Sequence, residues 1–371
     1  MKNNLKKLVL ILLAFCLCIP LFSCKKKEKK PEDVLASYGD YYVTDSLYTY
    51  WLSKYKYHFL TTYNNGVDED EFWDSLIDDD TTYEEYIVGL VENEVMMRTV
   101  ALSLFDEYGL DLDAAKVKAI DDDINDKIEN VGSRKEMNEE LGEKFGMNID
   151  MLREVYIINK KYDMVCDYLY GSNGRELPTE KEMAEYYNDN YNCLKLITVF
   201  SNYTPERDEN GEFVYDENGE IEKIALTDQE KEEKLLLIDE ITSELDGGTD
   251  FEDCIAKYSE VDYSLSPNGI LVSAGDSALY GSDIIKASRE LEVGDYDVLT
   301  DDLITMIVKK YELPAYTSLT EDEIAGLDSF SDRVANKKRT DKFDKLIKDV
   351  LLDAERVKDI SIREISRNSY Y

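Results

Sequence analysis

Apolar positions recur at helical spacing over long stretches of this chain, with one β-patterned region between them. Val34 to Val43 encloses a Tyr-Gly-Asp turn and predicts short strands. Thr44 or Asp45 then caps a helix, and Leu47, Trp51, Tyr55 and His58 fall on one side of it. His58 thus stands on an aromatic stripe, where a core or boundary role is expected and no catalytic partner is in view. Thr82-x-x-Glu85 is a capping-box pattern opening a second helix with Tyr86, Leu90, Met97, Ala101 and Leu104, which stops near Gly109. A third helix begins after Asp113, striped by Val117, Ile120, Ile124 and Ile128. A fourth follows Asn148, with Leu152, Val155, Tyr162, Cys166 and Leu169. Residues 44–172 therefore predict a helical region. Its Met and aromatic stripes read first as core, although a groove for apolar peptide carries the same pattern.

The pattern then changes. Pro178 to Glu182 starts a short helix containing Tyr186 and Tyr187, and Leu194 to Phe200 is a β-rich run. Two Asp-Glu-Asn-Gly repeats, at 208–211 and 216–219, flank Phe213-Val214-Tyr215; Asn-Gly is a tight-turn signal, so a hairpin excursion is expected. A calcium loop is the sharper alternative, but the ligand ladder and closing Glu of an EF-hand are missing. Helices are predicted for Thr227 to Leu245, ended by Gly247-Gly248, for Phe251 to Tyr258 and for Ser282 to Leu291, and a closing strand for Ile304 to Tyr311. Thr320 to Ala354 reads as one long amphipathic helix with Ile324, Leu327, Val334, Phe343, Leu346 and Val350 inward. Residues 357–365 alternate like a strand through Val357, Ile360 and Ile362.

Composition narrows the function. The chain has 371 residues, 43% hydrophobic and 33% charged, which is globular and long enough for two or three domains. Asp and Glu number 81 against 43 Lys and Arg, a net charge of -38. Such a surface repels phosphate backbones and excludes a nucleic-acid partner. The single histidine excludes a multi-His zinc site. Beyond residue 24 the cysteines are Cys166, Cys193 and Cys254, with no metal-ligand spacing; buried, unpaired thiols are expected, and neither a metal nor a cofactor.

Residues 1–24 form a sorting signal. Lys2, Lys6 and Lys7 precede an apolar run from Leu8 to Phe15, which is short for a membrane span. The segment ends in Leu21-Phe22-Ser23-Cys24, which resembles a bacterial lipobox and makes Cys24 the expected lipidation site. Loss of the leader with its three Lys would take the net charge from -38 to -41. The basic residues between Lys25 and Lys30 would then lie at the anchor, as a solvated spacer or a contact for anionic head groups. The expected location is the extracytoplasmic face of the cell membrane.

Residues 190–313 resemble a parvulin-type peptidyl-prolyl isomerase domain. The resemblance is carried by Gly248-Thr249-Asp250-Phe251-Glu252, Ala256-Lys257-Tyr258-Ser259, Asn268-Gly269, Ala287 through Leu291-x-Val293-Gly294-Asp295, and Ile307-Val308-Lys309. With a lipobox, an N-terminal helical module and a C-terminal return helix, the whole order resembles the PrsA/SurA-type foldases. The resemblance implies an α+β chain: a helical chaperone-like module made by the N- and C-terminal segments, with a parvulin-like antiparallel-sheet domain inserted. The implied divisions are a leader at 1–23, a linker at 24–33, the helical module at 34–175, the parvulin-like domain at 176–315 and a returning segment at 316–371. In that arrangement the helix near Phe343 packs on the helices of residues 44–172.

The chemistry implied is assisted rotation about X-Pro bonds, whose barrier is about 18–20 kcal/mol. Family members usually place a histidine in the first strand and another in the last. Matching motifs puts Leu196 and Met306 at those positions, and neither side chain makes a strong hydrogen bond. The family's Cys or Asp position falls near Val261-Asp262, which makes Asp262 the candidate catalytic residue. The implied substrate pocket involves Tyr280, Ile284 and Met306. The resemblance thus points to a foldase for unfolded or proline-containing exported polypeptides. Its isomerase activity is either weak and sustained by desolvation in the pocket, or lost. A non-catalytic cell-envelope adaptor reusing the fold is the alternative.

Overall fold

A computed structural model describes residues 33–371 except 79, 210, 212, 217–220, 264–265, 302 and 328. The leader, Cys24 and the basic cluster at 25–30 lie outside the described residues, as do parts of both Asp-Glu-Asn-Gly repeats. The protein is α+β and divides into two compact units. Of the described residues, one unit comprises those up to Gly174 together with Asp341–Tyr371; the other is Arg175–Thr340. The segment 316–340, expected with the returning C-terminal part, lies in the second unit.

In the first unit, β1 (Val34–Tyr38) and β2 (Tyr41–Thr44) form the expected hairpin, turned at Gly39, whose φ of 59° suits glycine. Helices follow as α1 (Asp45–Tyr63), α2 (Asp70–Asp74), α3 (Tyr83–Glu107), α4 (Ala114–Val131), α5 (Arg134–Phe145) and α6 (Ile149–Tyr170). The sequence signals for α3, α4 and α6 act as read. Thr82 and Glu85 close a reciprocal capping box, Asp113 accepts from Ala115 and Lys116, and Asn148 accepts from Met151. The α1 reading needs correction at His58, which is exposed with its ring edge-on to Phe59. The buried face is Leu47, Tyr48, Leu52, Phe59 and Leu60, and His58 stands about 100° from Phe59 around the helix.

The returning segment completes this unit. Phe343 is fully buried among Val100, Leu104, Phe105, Tyr162, Val165 and Leu169. β9 (Leu351–Leu352) adds to β1, giving sheet order β2-β1-β9. Lys56 of α1 has 1% exposure and donates to the carbonyls of Ile362 (2.8 Å), Arg363 (3.3 Å) and Ile365 (2.9 Å), while pairing with Asp68 at 2.7 Å. Two expectations fail here. Residues 357–365 are not a strand: Asp353 caps a short helix, Ala354–Lys358, and turns follow, so that Val357 and Ile362 reach the core. The predicted helix from Thr320 to Ala354 is interrupted. Glu321–Ala325 ends at Gly326, Ser329 takes a φ of 51°, and a new helix, Phe330–Leu346, restarts beyond it. The break buries Leu327, Phe330 and Val334 together.

The second unit opens with α7 (Glu180–Asn190), capped by a Thr179–Glu182 box. Its sheet has the order β6-β3-β8-β7, all antiparallel: β3 (Tyr191–Val199), β6 (Ile270–Ser273), β7 (Tyr296–Thr300) and β8 (Thr305–Tyr311). β6 and β7 went unforeseen. Between β3 and α8 (Asp228–Asp246) the excursion is antiparallel, with β4 (Tyr203–Pro205) paired to β5 (Lys223–Ala225). α9 (Phe251–Tyr258), α10 (Ser277–Tyr280) and α11 (Ser282–Glu290) complete the unit. Cys193 and Cys254 are buried free thiols, each raised in pKa by burial; Cys166, in the first unit, is only half-buried.

Glu182 also receives Lys338 at 2.8 Å, and with the Thr179 bonds this holds its carboxyl down at about 2. A folded-state pKa below the unfolded one gives stability that is present above the ordinary carboxylate range and lost as pH falls. Acid titration should therefore weaken the second unit between pH 4.5 and about 2, and Glu182→Gln should flatten that slope. A variant with the same acid profile as the parent, measured by near-UV circular dichroism, would show that the pair contributes nothing.

Candidate functional site

The candidate site is one face of the four-stranded sheet. Side chains alternate along a strand, so Ile197 and Val199 face Phe251, Cys254 and the α8 residues Ile238 and Ile241. Leu194 and Leu196 face the other way, onto Ile284 and Ile285 of α11. Val308 lies directly across from Leu196, and Met306 directly across from Thr198. Leu196 and Met306, the two positions where the resemblance implies histidines, therefore share this second face and one apolar cluster.

That cluster is apolar throughout. Leu194, Val272, Ile284, Ile285 and Val308 are buried in it, and Tyr263, Tyr280, Leu299 and Met306 pack at its margin. Tyr280, Ile284 and Met306 thus lie in one cluster with Leu196, between strand and helix. Such packing favours a well-fitted apolar core over a polar network.

One polar pair survives on this face, and the sequence did not advertise it. The Thr198 hydroxyl, on a residue 3% exposed, lies 2.7 Å from the Tyr263 hydroxyl. Burial raises the Tyr263 phenol while the Thr198 bond partly offsets it. The loop carrying Tyr263 is tied along β3: Glu260 N–H donates to the Thr198 carbonyl at 2.8 Å, Thr198 N–H to Ser259 Oγ at 3.2 Å, and Phe200 N–H to the Glu260 carboxylate at 2.6 Å. Lys234 pairs with the same carboxylate. Only the Ser259-x-x-x-Tyr263 spacing, offering a hydroxyl at each end of the loop, hinted at this.

Asp262 does not join the packed face. It is exposed, in a cleft of about 520 Å³ lined by Leu194, Leu196, Ile255, Ala256, Tyr263 and Pro267 among others. Lys195 closes one side, paired to Glu252 at 2.6 Å and donating to the Pro267 carbonyl at 2.7 Å. The cleft offers an apolar floor and a carboxylate at its rim. Among the described residues there is no His, Cys, Asp and Glu cluster able to hold a metal, and no helix long and apolar enough to cross a membrane.

No family model matches the chain, and no curated protein matches it. Solved structures do. PrsA from Bacillus subtilis matches at 17% identity over 78% of this chain and 91% of that one, with a TM-score of 0.22. The foldase protein PrsA from Streptococcus pneumoniae matches at 14% identity over 78% and 98%, with a TM-score of 0.24. The peptidylprolyl isomerase PrsA from Bacillus cereus matches at 12% identity over 78% and 97%, with a TM-score of 0.25. Identities and TM-scores of this size carry no weight for activity, substrate or catalytic residues.

Proposed function

We propose that this chain is a lipid-anchored, extracytoplasmic holder of exported polypeptides, built on a foldase scaffold whose prolyl isomerase activity is weak or lost. The observation that carries the reading is the packing of Leu196 and Met306 into one apolar cluster with Ile284 and Val308. A twisted prolyl amide is stabilised by a dry pocket with hydrogen-bond partners; the side chains at the two histidine positions offer none, and the Thr198 and Tyr263 hydroxyls are engaged with each other. The resemblance to foldases, the Cys24 lipobox and the acidic composition support the holding role. The net charge, -38 for the full sequence and -41 without the leader's three Lys, keeps a loaded complex soluble by self-repulsion.

Two assays on the mature chain test this reading. The protein should suppress aggregation of a chemically denatured client when present in excess. In a protease-coupled proline peptide assay the rate should equal the uncatalysed one, and Asp262→Ala should leave it there. Absence of suppression would favour the adaptor with one dedicated partner, to which the replacement of both histidine positions also points. A rate well above background that falls in Asp262→Ala would restore the catalytic reading.

A further inference from the structure

The first unit carries an aromatic row that its own core consumes only in part: Trp51, Tyr55 and Tyr83 pack against that core, while Tyr63 and Tyr86 reach solvent. Along α1, Trp51, Tyr55, Phe59 and Tyr63 stand four residues apart and share one side. Successive ring centroids are 6.1, 6.3 and 5.4 Å apart. Phe59 is buried, but Tyr63 is 56% exposed. Tyr86 of α3 lies 6.0 Å from Phe59 and is 39% exposed. Tyr83, 5.9 Å from Tyr63, continues the face to the 75–83 turn, where Leu76 is 57% exposed and bridged to Thr82. Single exposed apolar residues are ordinary; a contiguous set sharing ring contacts marks an interaction surface.

Charge says what that surface takes. From Tyr57 to Met97 the sequence contains no Lys or Arg, while carboxylates occupy every position from Asp68 to Glu71 and recur at Asp74, Asp78 and Asp80. Among the described residues, cations that reach this segment from elsewhere are engaged, Arg98 with Glu94 and over the Trp51 ring. Lys56 is buried on Asp68, Arg363 spans Asp70, Asp74 and Glu84, and Arg367 is held on the Gly66 carbonyl. Exposed tyrosine faces beside a surplus of carboxylates suit guanidinium and ammonium groups, which bind ring faces and are drawn in by the negative field.

We propose that the Tyr63–Tyr86 face docks extended polypeptide segments in which Arg or Lys alternates with apolar residues. The proposal rests on the holding function above and names the class of segment held. The test uses the mature chain and fluorescence anisotropy with three labelled peptides of equal length: Arg/Phe, Ser/Phe and Glu/Phe. The Arg/Phe peptide should bind at least about tenfold more tightly than the Glu/Phe peptide and weaken as salt is raised. Tyr63→Ser/Tyr86→Ser should reduce its affinity about tenfold while the protein stays cooperatively folded with only a small shift in its unfolding midpoint, because both side chains are exposed and lose only ring contacts with Phe59 and Tyr83. Equal binding of the acidic and basic peptides, or full affinity in the double variant, overturns the proposal. So does a dimer of the parent chain that dissociates in the double variant, since a second copy would then be the occupant. If the parent suppresses aggregation and the double variant does so equally, holding stands and this face is not where it happens. If peptide binding behaves as stated but no aggregation is suppressed, the face stands and the holding function falls.

Discussion

Lys56→Ala should destabilise the first unit by about 3–5 kcal/mol, the usual consequence of removing one partner from a buried ionic network. Lys56 has 1% exposure, and its ammonium is the donor for three carbonyls of the C-terminal segment, at Ile362, Arg363 and Ile365. Without it those acceptors lose their donor, at about 1–3 kcal/mol for each group left buried, and the Ile362 and Ile365 bonds are the buried ones. The Trp73 ring, 5.7 Å from Nζ, loses its cation as well. Denaturant titration should show a lower midpoint with an unchanged slope, and limited proteolysis should begin within residues 359–371. Asp68→Asn should cost much less, because Asp68 is 36% exposed and water can take its place. If Lys56→Ala lost under about 1 kcal/mol, the carbonyls would have to be solvated and the account of the clamp would be wrong.

Phe343→Ala should cost a similar about 3–5 kcal/mol, by a different mechanism. Phe343 has no exposed surface, its ring centroid is 5.6 Å from that of Tyr162, and Val100, Leu104, Phe105, Val165 and Leu169 surround it. Truncation removes the contacts and leaves a cavity that two helices from the N-terminal segment cannot readily collapse around. Phe343→Leu, which fills more of the space, should recover a large part of the loss. Thermal unfolding of the three proteins side by side checks the order. Equal melting temperatures would mean that the returning helix is not needed to complete the first unit.

Features written locally were legible in the sequence. The capping pair Thr82 with Glu85 binds its own backbone, so residue type and spacing suffice. Phe251–Tyr258 begins and ends where its periodicity does. α5 was missed although Ser133 accepts from Glu136 N–H and Gly146 closes it in the left-handed conformation, because its apolar content is only Met137, Leu141 and Phe145 buried. β7 is an exposed edge strand and lacks a buried alternating set. β6 is only four residues long, and its pairing to β3 comes from a partner far along the chain. The interruption at Gly326–Ser329 was hidden because Leu327 and Phe330 also fit helical spacing; the backbone turn that buries both is not a property of the pattern.

The candidate site was legible to the same degree. Leu196, Ile284 and Met306 came from the order of motifs, and they do meet. What they meet as, a packed cluster beside a self-satisfied Thr198–Tyr263 pair, depends on how a loop is tied to β3 by Ser259 and Glu260. Those bonds span about sixty residues of sequence, and the Ser259-x-x-x-Tyr263 spacing does not say which residues of β3 they meet. Lys56 is the strongest instance: a lysine on a predicted helix reads as a surface residue, and only carbonyls more than three hundred positions away make it an interior one.

That distance also imposes an order on synthesis. β1 waits for Leu351 and Leu352, the cluster around Tyr162 waits for Phe343, and Lys56 waits for the carbonyls at 362–365. A chain emerging N-terminus first from a ribosome or an export channel can finish Arg175–Thr340, a continuous stretch, before any of these arrive. The helical unit passes through a period in which its longest helices exist without their closing residues and with apolar surface uncovered. A protein of this construction meets, during its own synthesis, the hazard it is proposed to relieve in others.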